Sequence, residues 1–73
     1  MGEGTRRLDA TDVGRRVVVR HRLTDGRATD VLGDLISFDP THLVVRDRHG
    51  TNHRIEQLLI IAAKPVPPAP PRR

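Results

Sequence analysis

Four histidines, His21, His42, His49 and His53, and a run of arginines that includes Arg16, Arg20 and Arg22 are the side chains here with the most chemistry to offer. Imidazole titrates near neutrality and is a common metal ligand. A metal site needs more, and no cysteine, no HExxH pair and no carboxylate at a ligand spacing accompanies these four. They read as surface or hairpin histidines, with His49 and His53 flanking one hairpin tip. Covalent catalysis fares no better, because Ser37 falls in mid-strand and the other hydroxyls are threonines at turns. No catalytic, cofactor-binding or metal residue is assigned, and the chain is expected not to be an enzyme.

The arginines belong to "DVGRRVVVRHRL", residues 12–23. Counted by twos, Val17, Val19, His21 and Leu23 fall on one side of an extended chain and Arg16, Val18, Arg20 and Arg22 on the other. That is a half-buried strand whose wet side is a cationic strip, and Arg16, Arg20 and Arg22 form the candidate interaction surface. The net charge of +4 is unevenly spread, with basic ends and an acidic middle that holds Asp25, Asp30, Asp34, Asp39 and Asp47. Those aspartates can pair with the strip for at most about 1 kcal/mol per exposed pair. With one Phe, no Tyr and no Trp, nothing aromatic stands beside the strip to stack bases. Nucleic-acid binding by the strip alone is expected to be weak, sequence-blind and lost as salt rises.

The elements that must position these residues are short. Residues 15–23 form a first strand, "TDGR" a tight turn, and residues 29–38 a second strand in which Gly33 predicts a bend or bulge. Asp39-Pro40-Thr41 signals a turn, residues 42–47 a third strand, and a hairpin around Gly50 leads to a fourth near residues 52–55. "IEQLL" is too short for a stable helix and predicts one 3₁₀ turn, after which "LIIAAK" is the fifth strand. The expected fold is all-β: a small SH3-like barrel of about five strands, closed so that no sheet edge remains, with one 3₁₀ turn before the last strand. Val17, Val19, Leu35, Phe38, Val45, Ile55, Leu58 and either Ile60 or Ile61 are expected inside. As the single aromatic, Phe38 is expected to cost roughly 3–5 kcal/mol when cut to alanine.

Seventy-three residues allow one domain. Its expected parts are a flexible N-terminal tail over residues 1–11, the barrel over 12–64 and a proline-rich linker over 65–73. The segment "PPAPPR" fits the PxxPxR pattern of a polyproline ligand, but a stiff linker is the commoner use of such a composition. No apolar run approaches the roughly 20 residues of a membrane span, and the lack of cysteine suits a reducing compartment. A cytoplasmic location without membrane attachment is the expectation.

Two resemblances bear on function. "GDLISFDPTHLVVRD" is similar to the first motif of Sm-like RNA-binding proteins: a glycine, a leucine, an aromatic followed by aspartate, a turn, then an apolar strand. In that family an asparagine in the turn helps hold a base; the turn here is one residue shorter and offers His42. The arginine-glycine pair of the family's second motif is absent from "HRIEQLLII". Over the longer stretch from Asp12 to Pro68, "VGRRVVVR", "TDVLGDL" and "AAKPVPP" resemble the N-terminal SH3-like domain of actinobacterial (mycobacterial-type) GNAT-family, histone-acetyltransferase-like proteins. That likeness implies a non-catalytic accessory domain that positions an acetyltransferase domain in cis or recruits its protein substrate. Acetyl-CoA would then belong to the parent, since the Arg/Gln-x-x-Gly-x-Gly/Ala pyrophosphate loop does not occur in this chain. The alternative is a small basic barrel, Sm-like or other, that binds RNA or DNA.

Overall fold

The structure, a computed structural model, describes residues 8–67. Strands β1 (Arg16–Arg22), β2 (Ala28–Phe38), β3 (His42–Arg46), β4 (Asn52–Glu56) and β5 (Ile60–Pro65) form one antiparallel sheet in the order β4-β3-β2-β1-β5. A 3₁₀ turn, Gln57–Leu59, precedes β5 as expected. The period of two in β1 is plain: Val17 and Val19 are buried, while Arg20 and Arg22 are exposed. Gly26 (φ 89°) and Gly50 (φ 83°) take the positive φ that the two tight turns require.

The strand β2 serves two partners. Its residues 28–34 pair with β1, from Arg22↔Ala28 to Arg16↔Asp34, and its residues 34–38 pair with β3, from Asp34↔Arg46 to Phe38↔Leu43. The two pairings meet at Asp34, beside Gly33, and the bulge just after it bends the strand. A Cβ placed on Gly33 would lie 2.1 Å from the Arg46 carbonyl oxygen. The register shift falls slightly later, between Leu35 and Ser37, so Ile36 is the bulged residue.

Closure is corrected. Among the described residues β4 and β5 do not pair with each other, so the curled sheet keeps two edges. The short β4 and β5 are each matched to one neighbour, β3 and β1 respectively, and the single 3₁₀ turn between them carries the chain across the open side.

The core contains the expected Val17, Val19, Leu35, Val45 and Ile55, together with Leu8, Val31, Leu43 and Ala63. Phe38 and Ile60 are only partly buried against it. Leu58, expected inside, is 95% exposed. A three-residue turn offers one inward position, and Gln57 takes it, its side-chain Nε2 donating to the Asp39 carbonyl at 3.0 Å. Between Ile60 and Ile61, the latter is pushed outward by the register shift that leaves it unmatched between Ala62↔Arg20 and Ile60↔His21.

The boundary drawn at Asp12 also moves. Leu8 is buried, and Ala10–Asp12 form a further 3₁₀ turn in which the Asp12 carboxylate accepts from the Asp9 backbone at 2.9 Å. Capping chemistry, Asp9 with Asp12, folds back a segment too short to show periodicity. Residues 1–7 and 68–73, which hold the rest of the expected tail and most of "PPAPPR", lie outside the described residues.

Candidate nucleic-acid interface

The strip on β1 is real as geometry but largely occupied. Arg20 Nη1 meets Asp30 Oδ1 at 3.2 Å, and Asp30 is its directly opposed partner on β2. Arg22 Nη1 donates to the Gly26 carbonyl at 3.0 Å and so braces the turn that follows its own strand. Arg16, half-buried, has no ion pair among the described residues. Two aspartates of the acidic middle thus pair with arginines within the chain, Asp30 with Arg20 and Asp25 with Arg27 at 2.9 Å.

The histidines do not gather. Among the described residues no group of three or more His, Asp or Glu side chains is placed to hold a metal ion. His53 Nε2 donates to Asp47 Oδ2 at 2.8 Å rather than facing His49, which is exposed. His42 opens β3, its Nδ1 3.0 Å from Thr41 Oγ1 and its Nε2 3.6 Å from Asp39 Oδ2.

Asp39 and Asp47 organise the two turns that flank β3. Asp39 Oδ1 accepts from the backbone of His42 (3.0 Å), the Thr41 hydroxyl (2.8 Å) and the Thr41 backbone (2.9 Å). Asp47 accepts from His53 and from the backbone N–H groups of Thr51 (3.1 Å) and His49 (2.8 Å). These donors favour the carboxylate and lower each pKa from 3.8 to about 2, with the His42 backbone foremost at Asp39 and the His53 side chain foremost at Asp47. A pKa depressed by folding gives stability that is complete above the unfolded value and lost as pH falls through the folded one. Urea midpoints are therefore expected to hold down to about pH 4 and then drop towards pH 2. Carrying Asp39→Asn and Asp47→Asn together should flatten that drop, and an unchanged acid profile in the double variant would refute the assignment.

The Asp39 turn is tied to the β4–β5 turn. Gln57 donates its backbone N–H to the Thr41 carbonyl at 2.9 Å as well as its side-chain amide to Asp39. Between the two turns runs an open groove lined by Pro40, Thr41, His42, Arg54, Glu56, Gln57 and Leu58. Arg54 stands opposite Val44 on the outer face of the sheet and has no ion pair among the described residues. The sequence singled out His42 as the polar group of this turn, but not Arg54, Gln57 or Leu58. They lie 12 or more residues further on, and only the β3–β4 ladder brings them alongside.

No curated protein and no solved structure matches the chain. The kinship expected with the SH3-like domain of GNAT acetyltransferases is overturned, and the expected acetyltransferase partner in cis and the SH3-like name lose their support with it. The strands and bends that carried that likeness are what a small bent sheet of another family also requires: alternating valines, a glycine at a bend, and a turn led by aspartate. The description that fits is the one foreshadowed by "GDLISFDPTHLVVRD", which supplies the bend, the Asp39 turn and β3. Residues 11–64 match the family model described as the Rv0428c N-terminal Sm-like domain, and the chain belongs to that family.

Proposed function

We propose that this Sm-like domain is a non-catalytic module that binds single-stranded RNA in the groove between the β2–β3 and β4–β5 turns. The observation that carries the reading is the coupling of those turns into one surface, with His42, Arg54 and Gln57 held on it by strand register and by the Gln57 hydrogen bonds. Sequence-specific RNA readers hold unstacked bases on planar side chains and bond their edges. The His42 ring supplies a plane already fixed by Thr41 and Asp39, and the exposed Leu58 adds an apolar flank. Arg54 supplies a guanidinium for a phosphate, and Glu56 can accept from an exocyclic amine.

Stacking on one ring is worth about 1–3 kcal/mol, so His42→Ala should weaken binding of a short oligoribonucleotide roughly 5- to 150-fold. Arg54→Ala should weaken it less and reduce its salt dependence by about one contact. Fluorescence anisotropy with labelled oligo(U) and oligo(A) measures both. Equal affinity of the wild type and the His42→Ala/Arg54→Ala variant would overturn the proposal.

A further inference from the structure

At the far end of β3 a second set of cations converges. Arg16, Asp34, Arg46 and Asn52 are successive cross-strand partners on β1, β2, β3 and β4, so all four face the same side of the sheet. Adjacent strands lie about 4.8 Å apart, which places the Arg16 and Arg46 backbones about 10 Å from each other. Because Gly33 has no side chain, the end of β3 closes onto β2 and brings the next turn with it. The result is an open notch of ≈ 500 Å³ lined by Arg16, Leu32, Asp34, Arg46, Arg48 and His49, among others.

The charges in this notch are not neutralised as those of Arg15, Arg20 and Arg27 are. Arg15, Arg20 and Arg27 each have a carboxylate within 4 Å, at 3.9, 3.2 and 2.9 Å respectively. Arg16 and Arg48 have none among the described residues, and Arg46 donates only to the neutral Asn52 Oδ1 at 3.3 Å. The Asp47 carboxylate is already committed to His53, Thr51 and His49. Three guanidiniums therefore face one uncommitted carboxylate, Asp34, across a floor that includes Leu32, 45% exposed. Forked guanidinium donors match phosphate oxygens, and an apolar floor suits a sugar or base face.

We infer that a strand held at the His42 groove continues along the outer face of β3 into this notch, where Arg16, Arg46 and Arg48 hold its phosphates. This rests on the nucleic-acid reading proposed above. His42, Val44 and Arg46 alternate outward along β3, and four strand steps separate the two ends by about 14 Å. Arg54, opposite Val44, stands between them. Phosphate contacts carry no base information, so the notch adds affinity and length preference rather than sequence choice.

The test compares labelled oligo(U) of 4 and 12 nucleotides on the 73-residue chain. The 4-mer should bind wild type and Arg16→Glu/Arg48→Glu alike. The 12-mer should bind the double variant about tenfold more weakly, with a salt slope reduced by roughly 1.4 for two lost contacts. Asp34→Asn, which removes the opposing carboxylate, should tighten the 12-mer; as a gain of binding, that result cannot come from misfolding. If wild type binds the 12-mer but neither substitution changes it, the notch is only a solvated charged face and the inference falls while the groove reading stands. If wild type binds neither oligonucleotide, both fall.

Discussion

Gly33→Ala is expected to leave the chain largely unfolded. The added Cβ would stand 2.1 Å from the Arg46 carbonyl oxygen, 2.7 Å from its carbonyl carbon and 3.0 Å from Asp47 Cα. All three are backbone atoms, so no flexible side-chain tip can swing aside. Overpacking commonly costs about 1–3 kcal/mol, and a clash with backbone at this distance belongs at or beyond the upper end. A domain of this size has only about 3–5 kcal/mol to lose. Gly26→Ala is the informative control, because a Cβ there meets nothing within 4 Å and its penalty comes from the positive φ alone, about 1–2 kcal/mol. Circular dichroism melts and amide dispersion in proton–nitrogen spectra distinguish the two. A Gly33→Ala protein that melts with the Gly26→Ala variant would show that the bend does not depend on the missing side chain. Any relaxation at the bend should also separate Arg46 and Arg48 from Arg16, so RNA binding by residual folded protein should resemble that of the notch variants.

The strands were legible because each is a run of alternating residues bounded by a turn with its own chemistry. Asp25-Gly26, Asp39-Pro40 and Gly50 punctuate the chain where it turns, and the 3₁₀ turn before β5 falls within the stretch too short for a helix. What periodicity cannot carry is position relative to the rest of the sheet. Leu8 lies outside any run, and its burial depends on the Asp9–Asp12 cap. Leu58 sits among apolar neighbours in sequence, but a 3₁₀ turn at an open sheet edge has nothing to pack over it. Closure failed as an expectation because strand count does not say whether the last strand meets the fourth. At the site, the alternation in β1 placed Arg16, Arg20 and Arg22 on one face, but their partners lie elsewhere in the chain. Asp30 is reached through the β1–β2 register, and Arg46 and Arg48 through the bend at Gly33, so the separation of Arg16 from its two neighbours became visible only in three dimensions.

Leu35→Ala, not Phe38→Ala, is expected to be the costliest single truncation in the core. Leu35 is fully buried, lies just past the bend of β2 and pairs directly with Val45, itself fully buried. Leucine-to-alanine changes at such sites cost about 2–5 kcal/mol, the transfer of the lost atoms plus the cavity they leave. That spans the whole stability expected at this length, so the variant should show no cooperative transition at room temperature. Phe38 closes one end of the sheet beside Leu8, Leu43, Ile60 and Ala63 and stays partly exposed. Only its buried part contributes, and the ring leaves a gap open to solvent rather than a sealed cavity. On a scale proportional to buried area, Phe38→Ala should cost about 1–2 kcal/mol, well below the roughly 3–5 kcal/mol of a fully buried phenylalanine. Leu58→Ala, at an exposed turn position, should be nearly silent for stability while weakening RNA binding slightly. Thermal denaturation of the three variants ranks them, with about 4–8 °C of melting temperature expected per kcal/mol in a domain this small. If Phe38→Ala proves more damaging than Leu35→Ala, the centre of the core lies at the Asp39 end of β2 rather than at its bend.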